Sequence, residues 1–109
     1  MINDRLKELG GLYLLRTRDE LLTLNNEVSA ARQGNAVALL AMQHAAHRIS
    51  GSGAMLGFKA MSDAAAQIDR ILRRADPLPT DNEWTAILGH MQCLQTELDQ
   101  QATAGHVDL

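Results

Sequence analysis

Apolar residues recur at steps of three and four along most of the chain, and no stretch alternates at the period of two that a half-buried strand requires. Helices are the expected elements. Leu21, Leu24, Val28 and Ala31 form one stripe that stops near Gln33-Gly34-Asn35. From about Asn35 to Leu56, one face carries Leu39, Met42, Ala46, Ile49, Gly53 and Leu56, and Gly57 stands where helices commonly exit through a left-handed residue. From Lys59 to Ala75 the stripe is Met61, Ala64, Ala65, Ile68, Ile71, Leu72 and Ala75, backed by Asp63, Gln67, Asp69, Arg70, Arg73 and Arg74. Arg73 and Arg74 also suit the negative end of that helix. A last helix carries Trp84, Ile87 or Leu88, Met91, Leu94 and Leu98. Ahead of all these, Ile2 to Leu15 reads as a short helix weakened by Gly10-Gly11, with Leu6, Leu9 and Tyr13 as its apolar side.

Boundary signals sharpen this division. Thr17-Arg18-Asp19-Glu20 and Thr80-Asp81-Asn82-Glu83 both read as capping boxes, in which Thr and Glu each satisfy an orphan amide at a helix start. Asp76-Pro77-Leu78-Pro79 is a rigid connector, and the tail from Ala102 to Leu109 is expected to fray. Because the connectors are short, consecutive helices should lie antiparallel. The expected fold is all-α, an up-down antiparallel four-helix bundle with a short N-terminal capping helix, in a single domain over residues 1–109. The stripes are about as wide as one such core needs, and no heptad run is left for a partner helix, so a monomer is expected.

Composition supports helices over a sandwich, since Tyr13, Phe58 and Trp84 are the only aromatic residues and Leu and Ala dominate the apolar content. A chain of 109 residues supports one core. With 10 Lys and Arg against 13 Asp and Glu, the net charge of -3 lacks the basic footprint of a nucleic-acid binder. The single cysteine, Cys93, excludes an internal disulfide, fits a reducing compartment and is expected to be inert packing. No basic segment leads into an apolar run at the N-terminus, and no run of about 18 apolar residues occurs, so a cytoplasmic protein without membrane attachment is expected. Arg70, Arg73 and Arg74 are expected to form a solvated face.

The familiar enzyme signatures are missing: there is no G-x-x-x-x-G-K-[ST], no G-x-G-x-x-G and no H-E-x-x-H. Ser50 and Ser52 lie near His47, but one helix does not supply the nucleophile, base and orienter that serine catalysis needs. His44 and His47, three apart, can face one metal ion, yet a zinc site needs three or four ligands, and no motif ties His90 or His106 to the pair. The unusual stretch is Ala46-His47-Arg48-Ile49-Ser50-Gly51-Ser52-Gly53-Ala54-Met55-Leu56-Gly57-Phe58. Each glycine inside a helix costs about 1 kcal/mol against alanine, so each calls for a steric reason. Gly53 lies on the buried stripe, where two helices can approach closely. Gly51 lies one turn beyond His47, where a missing side chain clears the imidazole for an approaching protein.

On these residues the chain resembles the histidine-containing phosphotransfer (HPt) domain family. Its signature is a His with an apolar residue at +2, commonly Lys at +3, Gly at +4, a small residue at +5 and Gly at +10. His47, Ile49, Gly51, Ser52 and Gly57 match those offsets, and Phe58, Met61, Ala65, Ile68 and Asp69 continue the family's spacing. Ser50 stands where Lys is common, which leaves Arg48 or Lys59 as the candidate positive charge.

The resemblance implies that His47 accepts and donates a phosphoryl group. His44, Arg48, Ser50, Gly51 and Ala54 would then meet the partner, and Gly53 and Gly57 would shape the site. The implied partners are response-regulator receiver domains and a hybrid histidine kinase. No cofactor is expected on this chain, while Mg²⁺ is expected on the receiver. The chemistry is compatible, because an imidazole with a reference pKa near 6.5 is mostly neutral in the cytosol and its free nitrogen is a competent acceptor. Along the sequence no carboxylate adjoins His47 to act as a base or to prime a water, which suits a phosphocarrier without kinase or phosphatase activity of its own. A histidine-kinase dimerisation helix fits less well, since it has an acid directly after its His and a Pro in the next turn, where this chain has Arg48 and Ser52. The alternative of a different class is a phosphorylation-independent helical adaptor that docks a receiver or a kinase through the same face.

Overall fold

A computed structural model of the chain describes residues 2–104. It consists of four helices, α1 (Ile2–Arg32), α2 (Ala36–Leu56), α3 (Lys59–Arg74) and α4 (Asp81–Thr103), with no strand among the described residues. Each helix packs against the next and α4 closes on α1, while the backbones of the diagonal pairs α1/α3 and α2/α4 stay apart. The result is a ring of four helices around one core. Leu14, Leu24, Met42, Ile49, Met61, Ile68, Ile87, Leu94 and Leu98 fill it and are almost entirely hidden from solvent. Each such side chain contributes about 1.5–3 kcal/mol of apolar burial.

Local chemistry sets most of the helix ends. The Asn35 side chain accepts a hydrogen bond from the Ala38 amide at 3.0 Å and so caps α2. At its other end Gly57, at φ 84°, takes the left-handed conformation that L side chains avoid. The Thr80 box forms in full: the Glu83 amide donates to Thr80 Oγ1 at 3.2 Å, and the Thr80 amide donates to Glu83 Oε1 at 2.9 Å.

The first third of the chain departs from expectation. No break occurs at Gly10-Gly11 or at Thr17; Ile2–Arg32 is one helix of 31 residues in place of a capping helix followed by a second one. Thr17 is 1% exposed in the helix interior and caps nothing. The reason is a continuous buried row of Gly10, Tyr13, Leu14, Thr17, Leu21 and Leu24, which crosses both expected boundaries at three- and four-residue spacing. Leu6, one turn before Gly10 on the same row, and Leu9 on its flank are exposed. A helix of that length is about 46 Å long and sets the long dimension of a molecule measuring 48 × 21 × 21 Å.

Smaller differences follow the same logic. Ile87 fills the core and Leu88 is exposed, which settles the choice left open between them. α4 runs on through Ala102 and Thr103; the rest of the tail expected to fray, and His106 with it, lies outside the described residues beyond Ala104. Cys93 faces solvent and is not core packing. No helix among the described residues is long and apolar enough to cross a membrane.

Candidate functional site

His47 lies midway along α2, with its side chain 63% exposed. Two contacts fix the backbone that carries it. Tyr13 on α1 donates its phenol hydrogen to the Ile49 carbonyl at 3.1 Å, and Ser62 on α3 donates to the Ser50 carbonyl at 2.8 Å. These side chains pull α2 tight against both neighbours, and at Gly53 there is no room for more than a hydrogen. A Cβ there would stand 2.6 Å from the Tyr13 hydroxyl and 3.3 Å from Ser62 Cβ. Burial pushes the Tyr13 phenol up from its ordinary pKa, against a smaller opposing effect of Thr17, so it remains a donor. Its ring stacks on Phe58 with centroids 4.8 Å apart, which ties the α2–α3 turn to α1.

Beside His47 the surface is open. A Cβ on Gly51 would meet nothing within 4 Å, and Gly51, Ala54 and His44 are all exposed on the same side of α2. Leu40 and Met55, seven residues before and eight after His47, are 51% and 87% exposed on that face. Apolar side chains so exposed around a histidine form a rim suited to another protein surface. Sequence reading passed over both, although their position on the outer face of α2 marks them as out of place for a solvated helix.

The larger addition comes from α3. Asp69 Oδ2 lies 3.1 Å from His47 Nδ1, and Arg73 donates from Nε to Asp69 Oδ1 at 2.8 Å, which brings its Nη2 to 3.4 Å from the same ring nitrogen. Nδ1 cannot both donate to Asp69 and accept from Arg73. The shorter contact and the carboxylate's charge select a proton on Nδ1, donated to Asp69. The lone pair is then on Nε2. Burial alone would push the Asp69 carboxyl up, but hydrogen bonds from Arg73 and then His47, with their charges, outweigh it and hold the group below the usual carboxylate range. Asp69 is therefore an anion beside the imidazole.

Three expectations are revised or extended as a result. A carboxylate does adjoin His47, brought there by tertiary packing across 22 residues of sequence. The Arg70, Arg73 and Arg74 face is solvated as expected, but Arg73 does more than meet solvent, being held on Asp69 and reaching the imidazole, while Arg70 bonds to Gln67 on its own helix. Arg48 and Lys59 are engaged elsewhere: Arg48 grips Glu20 of α1 through Nε at 2.7 Å and Nη2 at 3.0 Å, and Lys59 donates to Asp63 at 2.7 Å. The Glu20 hydrogen bond, more than its charge, pushes the Arg48 guanidinium up further. Ser50 is half-buried on the flank that faces α3, with its carbonyl taken by Ser62.

Among the described residues no group of three or more His, Cys, Asp or Glu side chains converges as a metal site would. The arrangement is a nucleophilic imidazole with one nitrogen anchored, the other free, and a cleared approach. Comparison with curated proteins and with solved structures gave no match. The Hpt domain family, however, matches residues 8–104, which take in α1 from Glu8 onward, the other three helices and every residue described around His47, and the chain belongs to that family of phosphotransfer modules in two-component signalling.

Proposed function

We propose that this protein relays a phosphoryl group from one receiver-domain aspartate to another through Nε2 of His47. The observation that carries the reading is the exposed imidazole beside Gly51, with Nδ1 held by Asp69. In the uptake step the Nε2 lone pair attacks phosphorus, a P–N bond forms, and the P–O bond to the receiver's aspartate breaks with its electron pair leaving on that carboxylate. The proton on Nδ1 stays where it is, so the step needs no base. The positive charge that develops on the ring faces the Asp69 anion, which stabilises the product state. Reversal of the same step toward a second receiver returns the group.

Asp69 faces the nitrogen that does not react, so it fixes a tautomer and removes no proton from an attacking atom. This fits a carrier without kinase or phosphatase activity of its own. Mg²⁺ and the remaining charge neutralisation belong to the receiver, since phosphoryl transfer needs positioning and electrostatics more than covalent chemistry from its catalyst. His44, Arg48, Ser50, Gly51 and Ala54, with Leu40 and Met55 outside them, are the docking face for receivers and for the hybrid kinase that supplies them. We read the ring of helices as an up-down bundle, given the short connectors 33–35, 57–58 and 75–80. The protein is read as a cytoplasmic monomer.

Incubation with a phosphorylated receiver should deposit acid-labile, alkali-stable phosphate on the chain, mapped to His47 by mass spectrometry under non-acidic conditions. His47→Gln should abolish uptake while still docking the receiver, and His44→Gln should retain most of it. Label on His44, or undiminished label on His47→Gln, would leave the phosphorylation-independent adaptor as the better reading.

A further inference from the structure

His47 reads as a phosphoryl carrier, and on that reading the incoming group adds about two negative charges beside an aspartate already ionised. Some cation must offset them. Of the basic side chains near the site, Arg48 is committed to Glu20 on the α1 side and Lys59 to Asp63 one turn along α3. Position 50, one turn from His47 on α2, carries a neutral serine. Arg73 is different. Its Nε is used by Asp69, its Nη2 lies 3.4 Å from a ring nitrogen that is itself a donor, and Nη1 makes no hydrogen bond among the described residues. The guanidinium, with its side chain 54% exposed, therefore keeps its outer donors free next to the imidazole. Nδ1 and Nε2 are separated only by Cε1, so a modest rotation of the arginine reaches an oxygen on Nε2 without releasing α3 from the core.

We propose that Arg73 is the cation that binds the phosphoryl group carried on His47, doing from α3 what a basic residue at position 50 would do from α2. A guanidinium can hold Asp69 through one edge and two phosphoryl oxygens through the other, because its five donors form a planar fork. Arg73 is then a catalytic residue in contact with the transferred group. Asp69 remains a positioning residue acting through the imidazole.

The test needs no partner protein. The full chain is phosphorylated on histidine with potassium phosphoramidate, and the phosphoryl ionisation is followed by ³¹P NMR against pH. Arg73→Gln should raise the pH of that ionisation by about half a unit relative to wild type, since a nearby cation favours the dianion. Arg73→Lys should keep most of the wild-type value. Asp69→Asn separates a direct from an indirect role: it frees the arginine and removes a negative charge, so the ionisation should stay put or move down, opposite to Arg73→Gln. Labelling of Arg73→Lys but not of Arg73→Gln supports the same assignment. Equal ionisation in wild type and both Arg73 variants, loss of label in both variants, or an upward move in Asp69→Asn would overturn it. Failure of the wild-type chain to label at His47 would overturn the carrier reading itself.

Discussion

An imidazole whose Nδ1 faces a neutral amide, able to donate or to accept, in place of a carboxylate carries its proton on either nitrogen, and only one of those forms presents a lone pair at Nε2. Asp69→Asn should therefore slow phosphoryl uptake from a receiver about tenfold, equivalent to ~1.4 kcal/mol of lost tautomer preference, with receiver affinity unchanged. Rapid-quench uptake rates set beside binding titrations check this, and an unchanged rate would mean that the Asp69 contact is structural only. The two glycines beyond His47 make a second contrast. Gly53→Ala drives a methyl against the Tyr13 hydroxyl and Ser62 and should destabilise the fold by about 1–3 kcal/mol. Gly51→Gln meets open space, so it should preserve stability or raise it by up to about 1 kcal/mol, yet obstruct the receiver and reduce transfer tenfold or more. Urea melts and transfer rates measured on both variants decide the matter; similar melts for the two would show that Tyr13 yields easily.

Among the elements, α1 carries the clearest stability prediction. In a continuous helix Gly10 is an interior residue, and a Cβ there would touch the Phe58 ring at an ordinary 3.5 Å. Gly10→Ala should accordingly stabilise the protein by about 0.5–1 kcal/mol, whereas a chain break at that point would gain little. Thermal melts distinguish the two. The other three helices were legible in sequence because their ends carry their own chemistry: Asn35 before α2, Gly57 after it, prolines before α4 and the Thr80–Glu83 box at its start. α1 misled because Thr17-Arg18-Asp19-Glu20 has the form of a cap while Thr17 lies on the buried row, and tertiary packing overrides a local signal of about 1 kcal/mol. The site divides in the same way. His47, Gly51 and Gly53 lie on one helix at fixed offsets and could be read directly. Asp69 stood in view as the acidic position that continues the family's spacing and Arg73 as a cation near the end of its helix, but neither was tied to His47, because which of them meets it depends on the rotation of α3 against α2.

For the whole molecule, pH ties the site to stability. Asp69 has a folded-state pKa below its unfolded value, so the stability its contacts provide is complete above the ordinary carboxylate value and is lost as pH falls through the lowered folded one. Below about pH 4 the wild type should weaken more steeply than Asp69→Asn, which has no such group to protonate. Parallel denaturant melts between pH 7 and pH 3 should converge for the two proteins; parallel loss in both would remove Asp69 from the acid response. In solution the free protein should scatter light as a particle of 11.9 kDa, because each helix already spends its buried face on the two neighbours in the ring. A stable dimer at micromolar concentration would contradict this and point to the exposed Leu40 and Met55 rim as a self-contact.

The fit between the Tyr13 hydroxyl and the empty Cβ position of Gly53 also constrains the order in which this sequence can drift. Alanine at 53 is costly while tyrosine stands at 13, since the two atoms would be 2.6 Å apart unless one of them moves. Phenylalanine at 13 relieves the closest contact at the cost of one hydrogen bond to the Ile49 carbonyl, about 1 kcal/mol, and even then the ring Cζ at 3.2 Å and Ser62 Cβ at 3.3 Å keep position 53 tight. The pair is thus epistatic with a direction: a larger residue at 53 costs less where the phenol has already been given up, and a library that varies both positions together should show that coupling in its survivors.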